Sequence, residues 1–208
     1  MVTLKVGASA FASAGVGSNI GVIATGLSLG GASAPNYQLS SVTAVTTASI
    51  TPRTLTVAPT GVDKSYDGTT TAVVTLSDNR ITGDSITDSY TDASFSDPSA
   101  GAGKTVSVTG ISISGSSSGN YALSSTTATT TADITAASAS IALSGLNQTF
   151  TGEPIEVTAT TIPAGLSVTI TYNGSVTTPA AAGVYAIVAT IDDPNYSGTA
   201  TGTLNIAQ

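Results

Sequence analysis

GLSLGGASAPNYQLSSVTAVTTASIT at residues 26–51 returns as GISISGSSSGNYALSSTTATTTADIT at residues 110–135, aligned without a gap 84 residues apart. Both passages open on Gly-x-Ser, run through Asn-Tyr-x-Leu-Ser-Ser and close on a Thr/Ala tract ending in Ile-Thr. A passage repeated at fixed spacing marks a chain assembled from copies, each one supersecondary unit that needs neighbours to bury its apolar face. Working outward, Phe11 matches Phe95 at the same offset, with small compensating differences between Ala14-Gly-Val-Gly17 and Ala100-Gly-Ala-Gly103. Residues 54–84 have no counterpart ahead of Phe11. Residues 1–51 therefore read as the back half of a truncated module, and residues 52–135 as a complete one.

Residues 136–208 read as a cousin of that module. Lys64-Ser-Tyr-Asp-Gly68 is echoed by Gln148-Thr-Phe-Thr-Gly152, and Asn120-Tyr121 by Asn195-Tyr196. Strand patterning is continuous. Thr54-Leu-Thr-Val-Ala, Val106-Ser-Val-Thr-Gly-Ile-Ser-Ile113, Leu166-Ser-Val-Thr-Ile-Thr-Tyr172 and Tyr185-Ala-Ile-Val-Ala-Thr-Ile191 alternate apolar and polar residues, with Asp-Gly, Gly-Asp and Ser-Gly turn signals between strands. No helical period competes. The joints, Ala48-Ser-Ile-Thr-Pro-Arg-Thr-Leu and Ala132-Asp-Ile-Thr-Ala-Ala-Ser-Ala, lack a flexible Gly/Ser stretch. The expectation is an all-β chain of tandem small antiparallel modules arranged as a rod. Each module is an immunoglobulin-like sandwich, with a β-grasp-like sheet as the alternative.

Composition narrows the function. Twelve acids against five basic residues give a net charge of −7, and nothing basic follows Lys104, which argues against a phosphate-tracking surface and so against nucleic acid. No apolar run approaches the length that spans a bilayer, so no membrane insertion is expected. Cysteine and histidine are absent, which removes disulfides, thiolate or imidazole metal sites and the Ser/His/Asp and Cys/His constellations. Glu153 with Glu156 is the nearest carboxylate pair, without the aromatic cleft a glycosidase would need. Ala100-Gly-Ala-Gly-Lys-Thr105 ends like a phosphate-binding loop, but Pro98 stands where that motif needs Gly and strand residues follow, so a turn is expected. No enzyme is expected.

Lys64-Ser-Tyr-Asp-Gly-Thr-Thr70, Gly103-Lys-Thr-Val106, Gly110-Ile-Ser-Ile113 and Asn120-Tyr121, closing on Ala132-Asp-Ile-Thr135, resemble the YDG repeat domain of bacterial filamentous-haemagglutinin-like surface adhesins. Phe150-Thr-Gly152, Pro163-Ala-Gly-Leu-Ser-Val168, Tyr172-Asn-Gly174, Ala182-Gly-Val-Tyr185, Asn195-Tyr196 and Gly202-Thr-Leu204 are similar to the related MBG domain. Phe150-Thr departs from the Tyr-Asp usual at that turn. The resemblance implies a large secreted bacterial cell-surface protein with stacked modules, an extracellular location and no catalytic residues.

The motif residues themselves read as structural. Asp67-Gly68 and Gly152 suit turns requiring positive φ at Gly, and Tyr66 and Phe150 each supply one large ring. Asn36, Asn120 and Asn195 precede Tyr37, Tyr121 and Tyr196; Asn there suits an αL or Asx-turn corner that sets the ring at a strand start. Asp84, Asp88, Asp92 and Asp97, and the set Asp192, Asp193 and Asn195, offer oxygen ligands for Ca²⁺. Neither follows a known ligand spacing, so solvated turn acids are preferred and no cofactor is assigned. A Lys-Asn isopeptide bond would draw on Lys64 or Lys104 with Asn120, but the last module has no Lys.

The function these observations point to is a structural stalk or spacer segment whose partners are neighbouring modules of the same chain. Two alternatives stand beside it. One is an adhesin module binding host glycan or protein through the Asp84 to Asp97 loop or Tyr90. The other is self-association by strand addition at the incomplete first module.

Overall fold

The computed structural model describes all 208 residues, and the chain is all-β. The only helical turns are two short 3₁₀ turns, Ala34–Asn36 and Ser118–Asn120, at equivalent positions of the two copies. Thr, Val and Ile at alternating positions favour the extended backbone, because their β-branched side chains pack on a pleated surface.

The register of the first repeat is reproduced in the second. Thr3–Lys5 pairs antiparallel with Ser28–Gly30, and Thr87–Ser89 with Ser112–Ser114. Ala8–Phe11 pairs with Gly17–Thr25, and Asp92–Phe95 with Gly101–Thr109, with Ala8 opposite Thr25 and Asp92 opposite Thr109. The long strand then pairs with the Thr/Ala tract, Ala44–Ile50 in the first copy and Thr127–Thr135 in the second. Each long strand carries one register shift, between Gly17 and Ile20 and between Gly101 and Lys104. Gly17 is thus the partner of Gly101, and the two Gly-rich stretches align with no gap. The residue at the bulge has positive φ in both, Asn19 at 55° and Gly103 at 62°. The stretch Ala100-Gly-Ala-Gly-Lys-Thr105, expected as a turn, is a bulged strand instead, since the bulge uses Gly103 without reversing the chain.

Antiparallel pairs predominate, and four short parallel pairs complete the two full modules. Arg53–Leu55 runs parallel to Tyr121–Leu123, and Lys64–Ser65 runs parallel to Thr127–Thr135 with Ile134 opposite Lys64. The last module repeats both: Ala137–Ser138 lies beside Tyr196–Ser197, and Asn147–Thr149 beside Thr199–Ala207. Even single hydrogen bonds recur, Tyr66 N–H to Thr135 O and Phe150 N–H to Ala207 O, both at 2.8 Å. Residues 37–39, which correspond to Tyr121–Leu123, have no such partner and form no strand.

Two compact units follow from the packing. One comprises residues 1–58, 77–89 and 111–126, and the other residues 59–76, 90–110 and 127–208, so the middle repeat contributes to both. In the first unit the buried residues are Leu55, Val57, Ile86, Ile111 and Tyr121, while residues 1–51 contribute none. In the second, Phe95, Val106, Val108 and Ile134 are buried, together with Ala72, Val74, Ala93 and Ala132. The last module has a four-stranded sheet in the order Asn147–Thr149, Thr199–Ala207, Gly183–Ile191, Val168–Tyr172. Its ribbon Ser140–Ser144 with Thr158–Ile162 contributes Leu143 to a core of Val157, Tyr172, Ile187, Leu204 and Ile206. Each fully buried Leu or Ile stabilises the fold by roughly 1.5–3 kcal/mol.

Candidate functional site

Two of the three recurrent Asn-Tyr dipeptides, Asn120-Tyr121 and Asn195-Tyr196, take a backbone amide from far back along the chain. Each follows a short run of small residues, Ser-Ser-Ser-Gly before Asn120 and Asp-Asp-Pro before Asn195. In the first unit the Asn120 side-chain oxygen accepts the Val16 backbone N–H at 3.0 Å. In the second unit the Asn195 side-chain oxygen accepts the Ala100 N–H at 2.8 Å. Val16 and Ala100 are the same position of the repeat, the start of the Gly-rich bulged strand. Both amides therefore hand their hydrogen bond to the Asn of the following module, at a site where an amide left unpaired costs free energy.

This corrects the αL or Asx-turn reading of these asparagines. None of Asn36, Asn120 or Asn195 has positive φ; Asn19 and Asn173 do. Asn120 ends a 3₁₀ turn whose Ser118 O accepts the Tyr121 N–H, so backbone alone forms the corner and leaves the Asn side chain free for the neighbouring module. At Asn195 the Asx acceptor is Asp193, which takes the Asn195 N–H at 2.8 Å. Asn36 occupies the same place in the first repeat and is exposed.

The tyrosines divide by their surroundings. Tyr121 is 7 % exposed; its hydroxyl accepts the Ile81 N–H at 3.0 Å and donates to Asp84 in a short hydrogen bond. That bond to a carboxylate raises the phenol above its ordinary range. Tyr196 is half-buried and meets Tyr66 edge to face, ring centroids 5.4 Å apart. Tyr66 was expected as a core or corner ring, and the ring it meets is that of the Tyr196 corner. Phe150, its counterpart in the last module, is 47 % exposed. Tyr37 is 64 % exposed, although its sequence context matches that of Tyr121.

The Tyr-Asp-Gly turn is held by charge. Lys64 Nζ donates to Asp67 Oδ1 at 2.8 Å and to Thr69 O at 2.8 Å, and lies 5.6 Å from the centre of the Phe95 ring. The Asp67 carboxyl also accepts the Thr69 N–H at 2.9 Å and its hydroxyl at 2.8 Å. The Lys64 hydrogen bond first, and the Thr69 donors after it, lower Asp67 to about 2. Gly68 has φ 76° and Gly152 φ 84°, the left-handed turn for which Gly is suited.

Sequence reading did not find the charge cluster in the first unit. Arg80 places Nε 2.8 Å from Asp78 Oδ1, a second fork bond on Asp78 Oδ2, one nitrogen on the Ile86 carbonyl and one 3.2 Å from Asp88 Oδ2. The side chains of Asp78 and Asp88 are 1 % and 6 % exposed. The Arg80 fork holds Asp78 down at about 2, whereas burial, and then the neighbouring Asp78, raise Asp88. Asp78 and Asp88 form the single pair whose environments push two carboxyls apart. Its only sequence signal was Asp78-Asn-Arg80 within a strand-rich stretch.

The remaining candidates are either engaged within the fold or exposed singly. Asp97 forms an ion pair with Lys104 and accepts the Ser99 N–H at 3.0 Å, and the Lys104 bond lowers its carboxyl. Asp92 is exposed on a strand paired with Thr109. Asp192 is exposed, and the oxygens of Asp193 and Asn195 are spent on backbone amides. No three acids gather as a metal site. Glu153 and Glu156 are both exposed. For an isopeptide bond, Lys64 and Lys104 are committed to Asp67 and Asp97, and Asn120 to Val16. Tyr90 is half-buried with its hydroxyl 3.5 Å from the Val74 N–H, and Tyr172 holds the Val157 N–H in the same way at 3.0 Å.

No helix is long and apolar enough to cross a membrane. A family model described as YDG domain matches residues 1–44 and 51–130, and one described as MBG domain matches residues 139–208. No curated protein and no solved structure matches the chain.

Proposed function

We propose, from the premise that this chain belongs to the YDG domain family and carries an MBG domain after it, that it is a stalk segment that spaces a distal binding tip from a bacterial cell surface. Both domain types are consistent with a repeat segment of a surface adhesin. The observation that carries the finer reading is the repeated joint. Asn120 to Val16 and Asn195 to Ala100 spend a recurrent side chain on the neighbouring module rather than on an outside ligand.

The division into modules 1–51, 52–135 and 136–208 belongs to this reading, each module handing its Gly-rich amide to the next. So does an extracellular location, where a chain without cysteine needs no redox partner. A binding role through the Asp84 to Asp97 loop finds less support, since Asp84, Asp88 and Asp97 face Tyr121, Arg80 and Lys104.

Single-molecule pulling on a concatemer of this chain tests the proposal. A spacer gives a regular series of unfolding peaks and an empty glycan array. A featureless extension would count against load-bearing modules, and a saturable glycan signal would favour the binding role.

A further inference from the structure

In both complete modules, segments near the start lie parallel to segments near the end. In the middle repeat Arg53–Leu55 runs beside Tyr121–Leu123, and the Ser124 N–H donates to Leu55 O at 2.9 Å. Lys64–Ser65 runs beside the end of Thr127–Thr135, and the Tyr66 N–H donates to Thr135 O at 2.8 Å. The last module repeats both arrangements. Ala137–Ser138 runs beside Tyr196–Ser197, bracketed by Ala137 N–H to Asn195 O at 2.9 Å and Ala139 N–H to Ser197 O at 2.8 Å. Asn147–Thr149 runs beside the end of Thr199–Ala207, bracketed by Asn205 N–H to Leu146 O and Phe150 N–H to Ala207 O, both at 2.8 Å. The longer ladders beside these pairs are antiparallel.

Strand direction decides how such a pair meets tension. When a module is pulled through its two ends, the earlier strand is drawn backward and the later one forward. For parallel neighbours those pulls run along the strands in opposite senses. Hydrogen bonds in a parallel pair are evenly spaced, so the shear strains all of them together and none breaks alone. Opened from one end, the same bonds part in succession. The slide also displaces side chains. Ile134 lies near the end of one terminal strand and Leu204 and Ile206 near the end of the other, all at most 2 % exposed. Moving either strand along its axis drags these groups out of a close-packed core.

We infer that the short parallel pairs are the load-bearing clamps of this chain. Asn147–Thr149 against Thr199–Ala207 holds the last module, with Ala137–Ser138 against Tyr196–Ser197 as the first pair to take the load. Lys64–Ser65 against Thr127–Thr135 and Arg53–Leu55 against Tyr121–Leu123 do the same for the middle repeat. The clamps resist tension applied along the chain and yield readily to tension applied across it. The inference rests on the spacer reading for its use, since a clamp serves a chain held under tension, and on strand direction for its place.

The sequence contains no cysteine, so a pair of thiol handles sets the direction of pull without competing thiols. In the full chain, Ala136→Cys with Gln208→Cys pulls the last module through its ends and shears the Asn147–Thr149 pair. Thr151→Cys with Gln208→Cys grips the same two strands at neighbouring ends and peels them apart. Glu153→Cys is a second peeling handle, and Thr151, Glu153 and Gln208 are all exposed. At matched force the sheared module is expected to reach its first rupture at least about tenfold more slowly than the peeled one, forced unfolding being governed by the unfolding rate. Equal lifetimes in the two directions, or a shorter one under shear, would overturn the inference. A glycan array run on the same chain keeps the two claims apart. A saturable signal with the directional difference intact removes the spacer reading and leaves the clamp, whereas an empty array with equal lifetimes removes the clamp and leaves the spacer.

Discussion

Tyr37 and Tyr121 occupy the same place in two copies of one repeated passage, yet one is 64 % exposed and the other 7 %. Their surroundings differ by one thing, the front-half segment that runs beside Tyr121–Leu123 and supplies Ile81 and Asp84 to the phenol. A strand is a relation between two segments. Residues 37–39 share the Tyr and Leu of Tyr121–Leu123 without its partner, and stay irregular. The antiparallel pairs of the back half keep the same register in both repeats, since both strands of each pair are present in each. What the first repeat lacks is the long-range parallel closure, and with it every buried residue.

Substituting the two tyrosines breaks the comparison most sharply. Tyr121→Ala is expected to cost about 4 kcal/mol, through the lost ring volume and the orphaned Ile81 amide, whereas Tyr37→Ala stays within about 0.5 kcal/mol. Urea unfolding followed by circular dichroism separates them. The next contrast is at glycines of matching φ, 67° at Gly110 and 64° at Gly26. A Cβ at Gly110 would lie 2.6 Å from Thr91 Cβ, while at Gly26 its nearest neighbour is Gly7 Cα at 3.4 Å. Gly110→Ala should therefore cost about 2–3 kcal/mol and Gly26→Ala about 1–2, measured as shifts in the urea midpoint. Asn120→Ala and Asn195→Ala should each cost about 1 kcal/mol, and Asn36→Ala close to none, because only the first two accept a neighbouring amide.

The smallest effect concerns the charge cluster of Asp78, Arg80 and Asp88. The native proton affinity of Asp88 is raised, so its ionisation removes stability as pH rises from the ordinary carboxylate range through its higher folded value. Asp88→Asn escapes that penalty, and its melting temperature relative to wild type should rise between pH 4 and pH 7. A pH-independent difference would show that burial of Asp88 is not the cause. Asp67 and Asp78, both lowered to about 2, act in the opposite sense. Their contribution is full above pH 4 and is lost as pH falls toward 2.

The fold class was legible because Thr/Val alternation and Asp-Gly turns are local signals, and the repeat was legible because copying leaves an offset. The Asn-Tyr corner was picked out for the same reason, but its role was not. The hydrogen bond that Ala100 N–H donates to the Asn195 side-chain oxygen links positions 95 residues apart, and nothing local distinguishes it from an Asx turn. The usable signal was that the Gly-rich stretch recurs at the same offset as the Asn. For Tyr66 the sequence left core and corner both open, because the ring it meets, Tyr196, lies far along the chain. Asp78, Arg80 and Asp88 share no motif and are joined only by the folding of the chain between them.

Asn120 and Asn195 each secure the Gly-rich strand of the preceding repeat through one backbone amide. Native-state amide exchange at Val16 and Ala100 tests it directly. Both amides are expected to be protected in the unmodified chain, with Asn120→Ala releasing Val16 alone, Asn195→Ala releasing Ala100 alone, and Asn195→Asp restoring protection at Ala100. Equal exchange at these amides in the unmodified chain and in the alanine variants would contradict it.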